Sequence, residues 1–221
     1  MTKQPLLTPT LRWFLLAMIL ANVASEMFFC LLAVYLSERG AGVTPIGLTF
    51  SIAAIVPLAL QIFGGWLSDS IGRLRTIAIG SVAASLGYVL MPLAHSWQWA
   101  IPALMLEYVS GSLVGPSFMA FIAEQSADEN RGRVFGIING IFLSVTVIGP
   151  ALGGFLVYRY GFRPMLTVAA VMYVVAAGLR VWMATAARFG AAEKSERPTT
   201  PHHRRGVRAS VPEPGDLPAG R

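Results

Sequence analysis

Six apolar runs, each long enough to cross a lipid bilayer, limit what this chain can fold into. They cover about 11–36, 46–67, 75–94, 98–123, 134–158 and 163–187, with short gaps between them. A membrane-crossing helix needs roughly 20 mostly apolar residues. The strands of a membrane barrel would be pieces of about ten residues that alternate apolar and polar. These runs are longer and apolar on every side. In lipid a helix satisfies its own backbone groups, so the runs predict an all-α membrane protein with six transmembrane helices. Charge is correspondingly scarce: 13% of the residues are Asp, Glu, Lys or Arg, against about 25% in a soluble domain. The first run is too long for a signal peptide, and no small-residue cleavage site precedes Glu26. It is expected to stay as the first helix.

Lys and Arg set the expected orientation. With a cytoplasmic N-terminus, the inner side holds Lys3, Arg12, Arg73, Arg75, Arg131, Arg133 and Arg188, and the outer side holds only Arg39, Arg159 and Arg163. Both termini are therefore expected in the cytoplasm, with the protein in the plasma membrane. The net charge of +6 follows from this topology, and no basic surface interleaved with aromatics suggests nucleic acid. The chain divides into a cytoplasmic N-terminus (1–10), a six-helix domain (11–187) and a tail (188–221) rich in Pro, Arg, Ser, Gly and His. Such a tail cannot bury enough surface to fold. His202 and His203 in it read as solvated side chains, not as a metal pair. The single Cys30 forms no disulfide within the chain. No metal or cofactor is expected.

An internal echo gives the domain its symmetry. "GGWLSDSIG" spans Gly64–Gly72 and "GGFLVYRYG" spans Gly153–Gly161. Both read Gly-Gly-aromatic-Leu, four residues, Gly. Each follows the second helix of a three-helix set, and the two lie on opposite sides of the membrane. Two inverted three-helix repeats would give this pattern.

The same stretch carries a resemblance. "GGWLSDSIGRLR" (Gly64–Arg75) resembles the loop between helices two and three of the major facilitator superfamily, matching it at Gly65, Leu67, Asp69, Gly72 and Arg73. Ser68, Ser70 and Leu74 depart from the pattern, with Arg75 one place late. "ENRGRVFG" (Glu129–Gly136) resembles the family's loop into helix five. "GPALGG" (Gly149–Gly154) resembles the helix-five motif of its proton-coupled drug exporters, and "YGFRPM" (Tyr160–Met165) resembles the turn into helix six. The family pattern also has a Gly where this chain has Val145. The resemblance implies one half of a twelve-helix fold. Either the chain is a truncated or frameshifted product, or two copies pair as a homodimer; otherwise the second half is missing.

Ionisable residues within the membrane are functional suspects. Glu26 lies halfway along the first helix and Glu107 near the middle of the fourth. A carboxyl in a low-dielectric cavity can exchange protons near neutral pH or hold a cation. In the family fold both helices line the central cavity, which implies that the two Glu form a proton-coupling pair. Glu107 stands where many members carry Arg, so that residue's role does not transfer. Asn22, Gln61 and Asn139 are candidate lining residues, or helix–helix glue. The fifth helix carries Gly136, Gly140, Gly149, Pro150, Gly153 and Gly154, and the fourth carries Gly111 and Gly115. Small residues permit close helix approach, and Pro150 removes a backbone donor. Asp69 is placed to meet a helix N-terminus or to pair with Arg73, Arg131 or Arg133. The resemblance gives these loop residues a gating role.

The expected function is secondary active transport of a small organic molecule, with proton-coupled efflux by alternating access as the lead. Sugar or metabolite symport is the next reading, and a non-transporting membrane fragment or partner-binding subunit the third. An intramembrane protease built on Ser110 and Ser112 lacks a base, because His95 lies in a loop and the other His in the tail. No phosphate-binding loop is present, and no enzyme activity is expected.

Overall fold

A computed structural model describes residues 9–126 and 128–196, with the side chains of residues 9, 10, 61 and 187–196 left aside. Six helices follow in order: α1 (Pro9–Glu38), α2 (Val43–Ile71), α3 (Arg73–Leu93), α4 (Ala100–Gln125), α5 (Arg131–Tyr160) and α6 (Phe162–Glu196). Single 3-10 turns lie at Trp97–Trp99 and Asp128–Asn130. All six helices are long and apolar enough to cross a membrane. Most run past the apolar stretches that predict them, because a helix can continue through the headgroup region on polar residues. The largest difference is in α6, which reaches Glu196 although the sequence places the start of the tail at 188. The remainder of the expected tail, with His202 and His203, lies outside the described residues, as do residues 1–8 of the expected N-terminal segment.

The echo in the sequence is an echo in backbone geometry. α2 ends at Gly72 (φ +97°) and α5 at Gly161 (φ +87°), conformations that side chains with a Cβ rarely adopt. The Gly72 N–H donates to Ser68 O at 3.2 Å and the Gly161 N–H to Val157 O at 2.8 Å. The same interval separates Gly72 from Gly161 and Ser68 from Val157.

Packing obeys the same exchange. α2 lies along α4 as α5 lies along α1, and α3 packs on α4 as α6 packs on α1. α3 and α6 meet each other at the centre. Exchanging the first three helices for the last three turns each of these pairs into its mate. Three helices carry the chain across the membrane an odd number of times, so the second unit starts from the opposite side. The fold is thus two inverted three-helix repeats.

Close helix approaches are made over glycine at equivalent positions of the two repeats. A Cβ on Gly64 would stand 2.1 Å from Ser112 O of α4, and one on Gly153 would stand 3.0 Å from Met27 O of α1. At one end of the bundle two arginines serve the last carbonyls of α3: Arg39 Nη1 donates to Ala94 O at 3.0 Å and Arg163 Nε to Pro92 O at 3.3 Å. They satisfy acceptors that a helix leaves open at its C-terminus. α1, α3, α4 and α6 form the interior. Their most apolar stretches are 44–50% buried, against 11% for α2 and 17% for α5.

Candidate functional site

The apolar core falls into two clusters. One gathers Met27, Leu32 and Leu36 of α1 with Tyr88, Leu104 and Met165. The other gathers Phe14 and Met18 of α1 with Ile77, Phe118, Ile122 and Val134. A cavity of about 340 Å³ touches both, lined from α1, α4, α5 and α6. Its polar groups are Asn22, Ser25, Glu107, Ser110, Asn139 and Arg180, with Tyr173 beside them. Phe118 and Phe142 supply aromatic wall, and their rings meet edge to face at 5.4 Å. A second hollow of about 350 Å³ shares Met119, Asn139 and Phe142 with the first.

Glu107 is held asymmetrically. Ser25 Oγ donates to its Oε1 at 2.9 Å. Its Oε2 and the neighbouring Tyr88 hydroxyl are both buried and lack a close hydrogen bond, but the two groups interact with each other, and the Arg180 guanidinium acts on the carboxylate electrostatically. A buried carboxyl group is stable either protonated or with a cation against Oε2.

Arg180 of α6 is only 2% exposed. Its Nη1 donates to Ser81 Oγ at 2.7 Å and its Nη2 to Ala17 O at 3.5 Å, and its Nε has no acceptor. The guanidinium lies 6.0 Å from the centre of the Tyr173 ring. That ring stacks on Tyr88 at 4.4 Å and 17°, while the Tyr173 hydroxyl meets Ser110 Oγ at 3.3 Å. Three helices, α3, α4 and α6, therefore join α1 in one polar layer between the two apolar clusters.

The structure brings together some of the residues expected from sequence and separates others. Glu107, Asn22 and Asn139 line the cavity. Asn22 also donates to Met18 O within its own helix at 2.8 Å. Glu26 is outside that lining and faces α5, where its Cβ would be 2.4 Å from a Cβ on Gly149. The α1 group that reaches Glu107 is the adjacent Ser25. Gln61 belongs to α2, and its side chain is outside the described set. Gly111 and Gly115 have open space where a Cβ would go, and both line the cavity. Ser110 and Ser112, the rejected protease pair, bond to Tyr173 and to Tyr108 O.

At the loop after α2, Arg73 is the hub. It pairs with Asp69, donates to Ser68 Oγ at 3.0 Å through Nη1, and bonds Glu124 Oε1 of α4 at 3.0 Å through Nε. Of the three expected partners of Asp69, the contact made is with Arg73. Arg131 instead pairs with Asp128 at 2.8 Å and donates to Ala123 O at 3.2 Å. Arg133 is exposed near the start of α5. Gly72 makes the turn, and a Cβ on Gly65 would meet nothing within 4 Å. In the helix-five motif Gly149 and Gly153 press on α1, Pro150 lies within the helix, and Gly154 faces open space.

Sequence reasoning missed Arg180, Glu124 and the two stacked tyrosines. Arg180 was detectable, since an arginine inside an apolar run is as suspect as a glutamate. Ser25 and the tyrosines gave no such signal, because nothing in an all-apolar helix marks which polar side chains meet.

Comparison with known proteins agrees with this architecture. Over 167 residues the chain is 32% identical to a "Na(+), Li(+), K(+)/H(+) antiporter" of Planococcus maritimus, a match covering 73% of this chain and 39% of the relative. It is 27% identical over 125 residues to the "Quinolone resistance protein NorA" of Staphylococcus aureus strain MRSA252, covering 57% of this chain and 32% of that one. The matched stretches thus span well under half the length of these curated relatives. The family description "Major Facilitator Superfamily" matches residues 14–213. With its inverted three-helix units, its six membrane-crossing helices and this match along most of its length, the chain belongs to the Major Facilitator Superfamily of membrane transporters.

Proposed function

We propose that this bundle is half of a secondary active transporter in which Glu107 exchanges a proton for a cationic substrate. One observation carries the reading: Glu107 is a buried carboxyl group on the cavity, with Oε1 held by Ser25 and no close hydrogen bond at Oε2. A proton and a cation are alternative ways to satisfy such an oxygen, so binding one displaces the other. That is the elementary step of antiport. A relative named for exchange of Na⁺, Li⁺ or K⁺ with H⁺ favours efflux of this kind over symport. Under this reading Glu26 acts at the α1–α5 contact and not in a carboxylate pair with Glu107. The site would sit in the plasma membrane with both chain termini in the cytoplasm.

The test is a proteoliposome assay of cation-driven proton release, with the bundle supplied in a complete twelve-helix assembly. Glu107→Gln should abolish exchange while leaving the protein folded. Glu26→Gln should keep at least half of it. Full exchange in Glu107→Gln would sink the reading.

We further propose that a second six-helix unit covers α2 and α5, the two least buried helices. The greater length of the relatives supports this completion. It can come from a second copy or from another segment of polypeptide.

A further inference from the structure

We propose that Arg180 is a positioning residue for the proton carrier: a built-in countercharge, held across the two stacked tyrosines, that sets the pH at which Glu107 gives up its proton. This role rests on Glu107 being the exchanging group and adds what tunes it.

Arg180 is only 2% exposed, and the fold does not demand a charge at its position. The interval that carries Gly72 of α2 onto Gly161 of α5 carries Met91 of α3 onto Arg180 of α6. Met91 fills its place at 1% exposure. One repeat closes this position with a flexible thioether, which suits an irregular interior. The other closes it with a guanidinium, whose burial carries a desolvation cost.

The anchors of Arg180 hold the charge without cancelling it. Nη1 donates to Ser81 Oγ of α3 and Nη2 to Ala17 O of α1, and both acceptors are neutral. The ion pairs among the described residues are those of Arg73 and Arg131, so no carboxylate is in salt-bridge contact with Arg180. Away from water the field of such a charge is weakly screened. It falls on Tyr173, whose ring lies 6.0 Å from the guanidinium and stacks on Tyr88. The Tyr88 hydroxyl interacts with the Glu107 carboxylate, and Arg180 acts on that carboxylate electrostatically. Ser25 fixes Glu107 and Ser110 fixes Tyr173, so the row is held at both ends.

No other fixed charge competes with Arg180 there. Toward Glu107, α1 presents Ser25, α3 presents Tyr88, and α6 presents Tyr173 and Arg180. Tyr108 is adjacent on its own helix. Asp69 of α2 and the arginines of α5 stand near the ends of those helices, and Glu26 faces α5. A nearby opposite charge favours the ionised carboxylate.

The experiment titrates Glu107 directly in the full chain in nanodiscs, by infrared difference spectroscopy of the carbonyl stretch of protonated carboxyl groups. The band of interest is the one that Glu107→Gln removes. In Arg180→Met, and separately in Arg180→Gln, its titration midpoint should move upward by about one pH unit. Arg180→Lys keeps the charge and should hold the midpoint within about half a unit. Thermal unfolding guards against a neutral variant that fails to fold. In the Glu107→Gln background, Arg180→Met should raise the melting temperature, because the guanidinium has lost the acid it serves. A merely structural Arg180 would make that double variant less stable, and this result overturns the proposal. An unmoved Glu107 titration in both neutral variants overturns it too, while Glu107 remains the exchanging group. So does a Lys variant that titrates like Arg180→Met, since charge would not be the cause. If Glu107→Gln leaves the spectrum unchanged at every pH, Glu107 carries no exchangeable proton, and the underlying reading falls together with the proposal.

Discussion

Two adjacent glycines in α2 have opposite surroundings. A Cβ on Gly64 would meet Ser112 O at 2.1 Å, whereas one on Gly65 would meet nothing within 4 Å. The obstacle at Gly64 is backbone of a neighbouring helix and cannot rotate away. Gly64→Ala should therefore force α2 off α4 and destabilise the bundle by about 1–3 kcal/mol or more, the usual range for overpacking. Gly65→Ala should be neutral or stabilising by up to about 1 kcal/mol, because alanine is the better helix former. In α5 the same contrast sets Gly149, whose Cβ would lie 2.4 Å from the Glu26 Cβ, against Gly154 in open space. Gly149→Ala should lower the thermal midpoint and Gly154→Ala should not. Equal midpoints for Gly64→Ala and Gly65→Ala would show that α2 and α4 are not this close. The sequence pattern marks all four glycines alike, since a motif records residue type and not the side of the helix on which it falls.

At the scale of elements, Arg73 ties the end of α2 to the end of α4 through Asp69 and Glu124. The side chains of these two acids are 68% and 54% exposed. Water and salt screen such pairs, and exposed ion pairs are worth about 0.2–1 kcal/mol each. A double-mutant cycle on Arg73→Gln and Glu124→Gln should give a coupling below about 1 kcal/mol that shrinks further in molar salt. A coupling above about 2 kcal/mol would mean that the cluster is closed off from water. The six helices themselves were legible because a bilayer demands long apolar runs and the chain supplies six. The repeat was legible because Gly72 and Gly161 are each required by a positive φ. Glu107 was legible as a charge where charge is expensive. The choice between Ser25 and Glu26 was not. Consecutive residues point about 100° apart on a helix, and a helix apolar on every side has no stripe to say which direction is inward. Only the packing of α1 against α4 and α5 resolves it, placing Ser25 on the cavity and Glu26 on α5.

For the whole molecule, the exchange symmetry of the packing leaves α2 and α5 in equivalent positions, and both are largely uncovered. Leu58 of α2 is 79% exposed and Leu143 of α5 is 68% exposed. Lipid would suit these side chains, and so would a second helical unit; exposure alone does not separate the two. The difference lies in proximity to protein. Val171 of α6 is 58% exposed and belongs to an interior helix, so its outer face is left to lipid under the proposed completion. Cys30 is the single cysteine of the chain, and Cys30→Ser gives a background without thiols. In that background, Leu58→Cys and Leu143→Cys should each be captured by a short bismaleimide in membranes, while Val171→Cys should remain uncoupled. A product at twice the 23.7 kDa of this chain would identify a second copy as the covering unit, and any other mass a different polypeptide. If Leu58→Cys and Leu143→Cys are no more reactive toward protein than Val171→Cys, these faces meet lipid and the bundle stands alone. Glu107 would then lack the opposing wall that alternating access requires.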